Sequence, residues 1–281
     1  MGQSKKRKTE FLAEHPLCCF CGGETRSTEI DHMPPAAMFN RQHRPDGLLF
    51  PACSPCNRLS KDSEQVAAFV AVSKLCSDDS EESKHFRKLA LAFRNNCGVA
   101  FDEMARNRSR TVILKKQLSK KFCEEVEVIQ FGPTAIRHVE LFGAKFGMAG
   151  FYECSKQPLP KSGGVAVKIH TSIDAIQGSL PSFPAEMGPL HIMKQGRFTS
   201  EGQFEYRFML TDDGKAGVFQ GLFHRNLLVT AFAFVDRAEA PHVLEGRWYI
   251  PGELKPVESN VRSQRIGYSF SSAPHVGPES E

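Results

Sequence analysis

The chain has 281 residues, 41% hydrophobic and 24% charged, and its 36 basic and 32 acidic residues leave a net charge of +4. That balance excludes a wholly disordered polymer and leaves room for a sizeable core in one large or two smaller domains. No apolar run approaches the roughly 20 residues of a membrane-spanning helix, and no hydrophobic stretch follows the N-terminal charges, so a cytoplasmic protein without a membrane partner is expected.

Taken in chain order, Lys5-Lys6-Arg7-Lys8 reads as a flexible basic arm, and a short helix is predicted over 9–15, ended by Pro16. Residues 17–62 are dense in Cys, Pro and Gly and lack a helical period; so short a segment needs a staple to fold. Asp62 and Gln65 resemble a capping box that opens a helix carrying Val66, Phe69 and Val70. A second helix is predicted from about Asp79 through Phe86, Leu89 and Phe93, stopping at Gly98. A third is expected over 101–121, then a short strand at Val126 and Val128. Pro133 fits the first turn of a further helix, with Ile136, Val139, Gly143, Phe146 and Gly150 on one face.

Beyond Pro160 the period changes to two. Val165, Val167 and Ile169 alternate, as do Phe204, Tyr206 and Phe208; Asp213-Gly214 is a hairpin signal, with strands expected over 218–223 and 227–235. The expected fold class is α+β: a stapled module at 1–63, a helical connector at 64–122, an α+β domain with an antiparallel sheet at 123–270, and a disordered tail at 271–281.

Nine cysteines in a chain with no export signal argue against a disulfide framework. Cys18 and Cys21 form one C-x-x-C, followed by Gly22-Gly23, and Cys53 and Cys56 form a second. Four thiolates in two tight knuckles suit a tetrahedral structural zinc, which would supply the folding energy that the segment lacks. Cys19 reads as a small core residue.

Within the loop closed by these pairs lies Asp31-His32, and Asn57 directly follows the second pair. In this order the residues resemble the HNH (ββα-metal) endonucleases, over about residues 15–65. The resemblance implies a zinc-stapled ββα module that hydrolyses phosphodiester bonds in DNA, leaving a 5′-phosphate and a 3′-hydroxyl. His32 would be the general base, as a neutral imidazole is suited to that task near neutral pH. Asp31 and the amide oxygen of Asn57 would hold Mg²⁺ or Mn²⁺, hard cations that favour oxygen ligands. The polar brace usual before the second pair has only Asp46 and Asn40 as candidates.

From 104 to 123 there are seven basic residues and no acidic one. On one continuous helix Arg106, Arg110, Lys120 and Lys121 would share a face suited to DNA phosphates, although a solvated face has the same pattern. His170, His191, His224 and His242 lack metal-ligand spacing. The functional expectation is a DNA endonuclease with a C-terminal domain that selects targets, forms a homo-oligomer or meets a partner of a defence or phage system. The alternative is a non-catalytic zinc module that binds DNA or protein.

Overall fold

The computed structural model describes residues 2–39, 48–73, 81–106, 110–115, 123–128, 130–176, 178, 180, 187–195, 198–241, 244 and 246–258. Helix α1 (Gly2–Glu14) begins well before the predicted 9–15 segment. The 5–8 basic run is therefore helical rather than a flexible arm, because Lys and Arg are good helix formers and Lys6 pairs with Glu10 one turn on at 3.8 Å. Strands β1 (Glu29–His32) and β2 (Leu49–Ala52) pair antiparallel, with Asp31 opposite Phe50 and His32 opposite Leu49. Helix α2 (Ser54–Leu59) follows at once, with Pro55 in its first turn.

Helix α3 (Lys61–Val72) has Ser60 at its N-cap position, without a side-chain capping bond, so the capping box expected at Asp62 and Gln65 does not form. Asp62 lies inside the first turn, and Gln65 instead accepts a hydrogen bond from Asn96 (2.9 Å). Helices α4 (Glu81–Asn96) and α5 (Gly98–Arg106) meet at Cys97. The third predicted helix stops at Arg106: residues 110–115 form β3 (Arg110–Lys115), antiparallel to β4 (Cys123–Val128). Thr111, Val112 and Ile113 account for the difference, since β-branched side chains prefer a strand. The proposed four-residue basic helix face is thus not formed. Arg106 ends a helix and Arg110 begins a strand, while Lys120, Lys121, Asn40, Asp46, His242 and the 271–281 tail lie outside the described residues.

The long helix α6 (Pro133–Ser155) starts at Pro133 as expected and is buried on nearly all sides. It packs on a six-stranded sheet made of β5 (Gly164–Thr171), β6 (His191–Ile192), β9 (Phe204–Leu210), β10 (Ala216–Phe223), β11 (Leu227–Phe234) and β12 (Trp248–Tyr249). Their order is β12-β5-β11-β10-β9-β6, with every pairing antiparallel. Short elements α7 (Ser172–Ile176), β7 (Lys194–Gln195) and β8 (Phe198–Thr199) border it. Gly214, in the predicted β9–β10 turn, has φ +70, which glycine adopts without strain.

Glycines bring α6 against the sheet. A β-carbon on Gly143 would lie 2.6 Å from Val167, one on Gly147 2.6 Å from Ala231, and one on Gly150 2.5 Å from Phe219. Phe142 and Phe146 enter an aromatic cluster with Phe204, Phe208 and Phe223. Ile136, expected on this face, is 45% exposed. Other elements also converge on α6: Tyr152 meets His15 (2.9 Å), His138 meets Ser63 (3.0 Å), and Tyr249 donates to Glu140 (2.8 Å). One apolar core accordingly runs from Cys18 to Tyr249. Among the described residues no helix is long and apolar enough to cross a membrane.

Candidate metal centre

The first cysteine knuckle is a tight turn. Gly22 and Gly23 have φ +71 and +78, conformations that glycine adopts without strain, and Gly23 N–H donates to the Cys18 carbonyl (3.1 Å). Cys19 N–H bonds the Pro51 carbonyl and Thr28 N–H the Ala52 carbonyl, each at 2.9 Å, which stitches the knuckle to β2. Cys53 caps α2 and Cys56 lies within it. The four sulfur atoms of Cys18, Cys21, Cys53 and Cys56 lie within 4.8 Å of one another. A tetrahedral Zn–S distance of about 2.3 Å implies sulfur separations of about 3.8 Å, so a small contraction makes the cluster a four-thiolate metal site. Bonding from Cys56 brings the Cys18 thiol down to about 5, whereas the Cys56 thiol is pushed up by sharing its proton with Cys18. Cys19 is fully buried outside the cluster, as expected of a core residue.

The hairpin carries Asp31 and His32, and α2 carries Asn57 directly after Cys56. Asp31 is 6% exposed, and its Oδ1 accepts the His32 backbone N–H (2.7 Å). Its Oδ2 forms an ion pair with the Lys145 ammonium. Lys145, from α6, is 0% exposed and also meets Glu64 Oε1 (3.1 Å), Ser60 Oγ (2.6 Å) and the face of Phe20 (4.8 Å). The ammonium thus donates to Ser60 and Glu64 and is ion-paired with Asp31. Burial alone would depress this ammonium, but Asp31 and then Glu64 outweigh it and raise its pKa. Burial pushes the Glu64 carboxyl above its ordinary range despite Lys145.

On the outer side, Asn57 Nδ2 donates to Glu29 Oε2 (2.5 Å), tying α2 to the start of β1. Glu29 is held below the usual glutamate range first by Asn57, then by the Ser54 hydroxyl, with Arg58 and Lys8 adding positive charge. Among the other predicted histidines, His224 is buried and bonded to the Met38 carbonyl, while His191 faces the Tyr206 ring. Arg106 donates to the Asp102 carbonyl on its own helix (3.2 Å).

Two participants escaped sequence reading. Lys145 is the only charged residue between Leu141 and Tyr152, a signal that its helix is buried and its charge is paired. Glu29 stands two places before Asp31, hence on the same face of β1.

The four cysteines fit zinc. Asp31 and Asn57 each carry an oxygen of the kind that hard dications take, and the Asp31 carboxylate is already engaged by the Lys145 ammonium and the His32 N–H. Comparison with family models, with curated proteins and with solved structures gives no match.

Proposed function

We propose that this chain is a zinc-stapled, Mg²⁺- or Mn²⁺-dependent endonuclease that hydrolyses phosphodiester bonds in DNA. The observation that supports it is the order β1–β2–α2 closed by four cysteines, with Asp31 and His32 at the end of β1 and Asn57 on α2. In this reading zinc is structural, and the hairpin and helix are held at a fixed separation by the thiolates. Asp31 and the Asn57 oxygen hold the dication, which supplies charge relief to the phosphate when bound. In this reading His32 accepts the proton of the attacking water. Lys8 and Arg58, whose charges are felt at Glu29, supply sequence-independent attraction for the nucleic-acid backbone.

The test is plasmid nicking with and without Mg²⁺ or Mn²⁺, comparing the native chain with His32→Ala. Loss of about 10² to 10⁴ in rate with unchanged zinc content is expected. Full activity in His32→Ala rejects the mechanism.

One observation favours a second reading, a non-catalytic zinc module that binds DNA or protein. The Lys145 ammonium already neutralises Asp31 deep in the core, as a structural ion pair would. No cleavage of duplex, single-stranded or branched DNA with either metal selects that reading.

A further inference from the structure

We propose that Glu29 is a positioning residue that sets which end of the Asn57 amide faces a divalent cation. This rests on the endonuclease reading and goes beyond it, because Glu29 is not one of its metal ligands. The two ends of a carboxamide have nearly the same shape and opposite chemistry: Oδ1 can ligate Mg²⁺ or Mn²⁺, and Nδ2 cannot. A wrongly turned Asn57 would present two N–H hydrogens to the cation.

Something must therefore select the rotamer before metal arrives. An ionised carboxylate only accepts hydrogen bonds, so it selects the NH₂ end. Glu29 does this from β1: its Oε2 takes the Asn57 Nδ2–H, leaving Oδ1 directed away from Glu29. Strand alternation places Asp31 on the same face of β1 two residues along. The bond also joins β1 to α2, the two elements whose separation the cysteines fix. Metal sites commonly use outer-shell hydrogen bonds in this manner, and their loss typically costs about 10- to 100-fold in metal affinity.

A charge near the cation would also help binding without orienting anything, so the test must separate these effects. Mn²⁺ affinity is measured by electron paramagnetic resonance on the zinc-loaded full chain in four forms: native, Glu29→Gln, Asn57→Asp, and the double variant. Glutamine accepts as readily as it donates, so it no longer selects the amide end. Glu29→Gln should weaken Mn²⁺ by about tenfold in the native background. An aspartate at 57 has oxygen at both ends and no wrong orientation; there the Glu29→Gln change should cost clearly less Mn²⁺ affinity than in the native background, only the loss that removing a nearby carboxylate brings.

Equal weakening in both backgrounds would show a plain charge effect and overturn the proposal. So would an unchanged affinity in Glu29→Gln alone, while leaving the endonuclease reading intact. A native chain that binds no Mn²⁺ and cleaves nothing overturns the endonuclease reading, and the proposal with it.

Discussion

Replacing Lys145 by methionine removes an ammonium while keeping most of the side-chain volume, so its effect isolates the buried charges from packing. At 3.1 Å and an effective dielectric constant of about 20, the attraction between Lys145 and Glu64 is about 5 kcal/mol. The Asp31 pair is comparable. The variant no longer pays the desolvation of the ammonium, worth several kcal/mol, but leaves two carboxylates facing each other inside the protein. Removing one partner of a buried pair typically costs about 3–5 kcal/mol, a large share of the roughly 5–15 kcal/mol that stabilises a domain.

Urea denaturation of the zinc-loaded chain near neutral pH should therefore show a loss of that size. Acid should narrow it. The Glu64 pKa is already raised by burial, and the variant pushes it higher. A carboxyl with a raised folded pKa contributes stability below its unfolded value and loses it as pH rises through the folded one. The deficit should thus shrink as pH falls and Glu64 becomes neutral. The triple variant Lys145→Met with Asp31→Asn and Glu64→Gln, which leaves no unpaired charge, should lie closer to the native chain. A loss under about 1 kcal/mol for Lys145→Met would refute the reasoning, as would a triple variant less stable than the single one.

Three further outcomes follow from other parts of the fold. Metal analysis should give one zinc per chain in the native protein and none in Cys53→Ser/Cys56→Ser; zinc retained by that variant removes the second cysteine pair from the site. Gly147→Ala should destabilise by about 1–3 kcal/mol in urea, because its new β-carbon would lie 2.6 Å from Ala231 and 2.8 Å from Val165; a gain, as helix propensity alone predicts, would mean the helix and sheet separate at no cost. His138 has its pKa lowered from 6.5 to about 4, mainly by burial and then by Arg137. That depressed value gives stability present above 6.5 and lost as pH falls through about 4, up to roughly 3 kcal/mol. The acid limb of a stability–pH curve should flatten in His138→Gln, and an unchanged limb would assign acid sensitivity to other groups.

The sequence announces features whose chemistry is local. Four thiols in two knuckles predict the cysteine cluster, which could hold a metal, and Asp213-Gly214 predicts a hairpin through its own backbone. The row Gly143, Phe146, Gly150 foretold the packing face of α6, since small residues at helical spacing bring a helix close to its neighbour. What escaped depends on residues far apart. Ser60 holds the N-cap position of α3 in place of Asp62, and its hydroxyl, rather than capping the helix, bonds Glu64 and Lys145, which reaches it from α6. The predicted third helix gives way because β-branched residues at 111–113 pair with β4, the strand expected at Val126 and Val128, and nothing local identifies that partner.

Lys145 carries the same lesson into the candidate site. A charged residue in an apolar helix signals a buried partner, but nothing local identifies that partner as Asp31. Once it is identified, the stapled module and the α+β half can no longer be treated as independent. The carboxylate proposed to hold the dication has its charge balanced by a helix of the other half, and the two halves share one apolar core. Any movement of α6 would therefore change the charge around Asp31 directly. Cleavage measured on an excised N-terminal module would report a site without its balancing cation, so activity is best judged on the full chain.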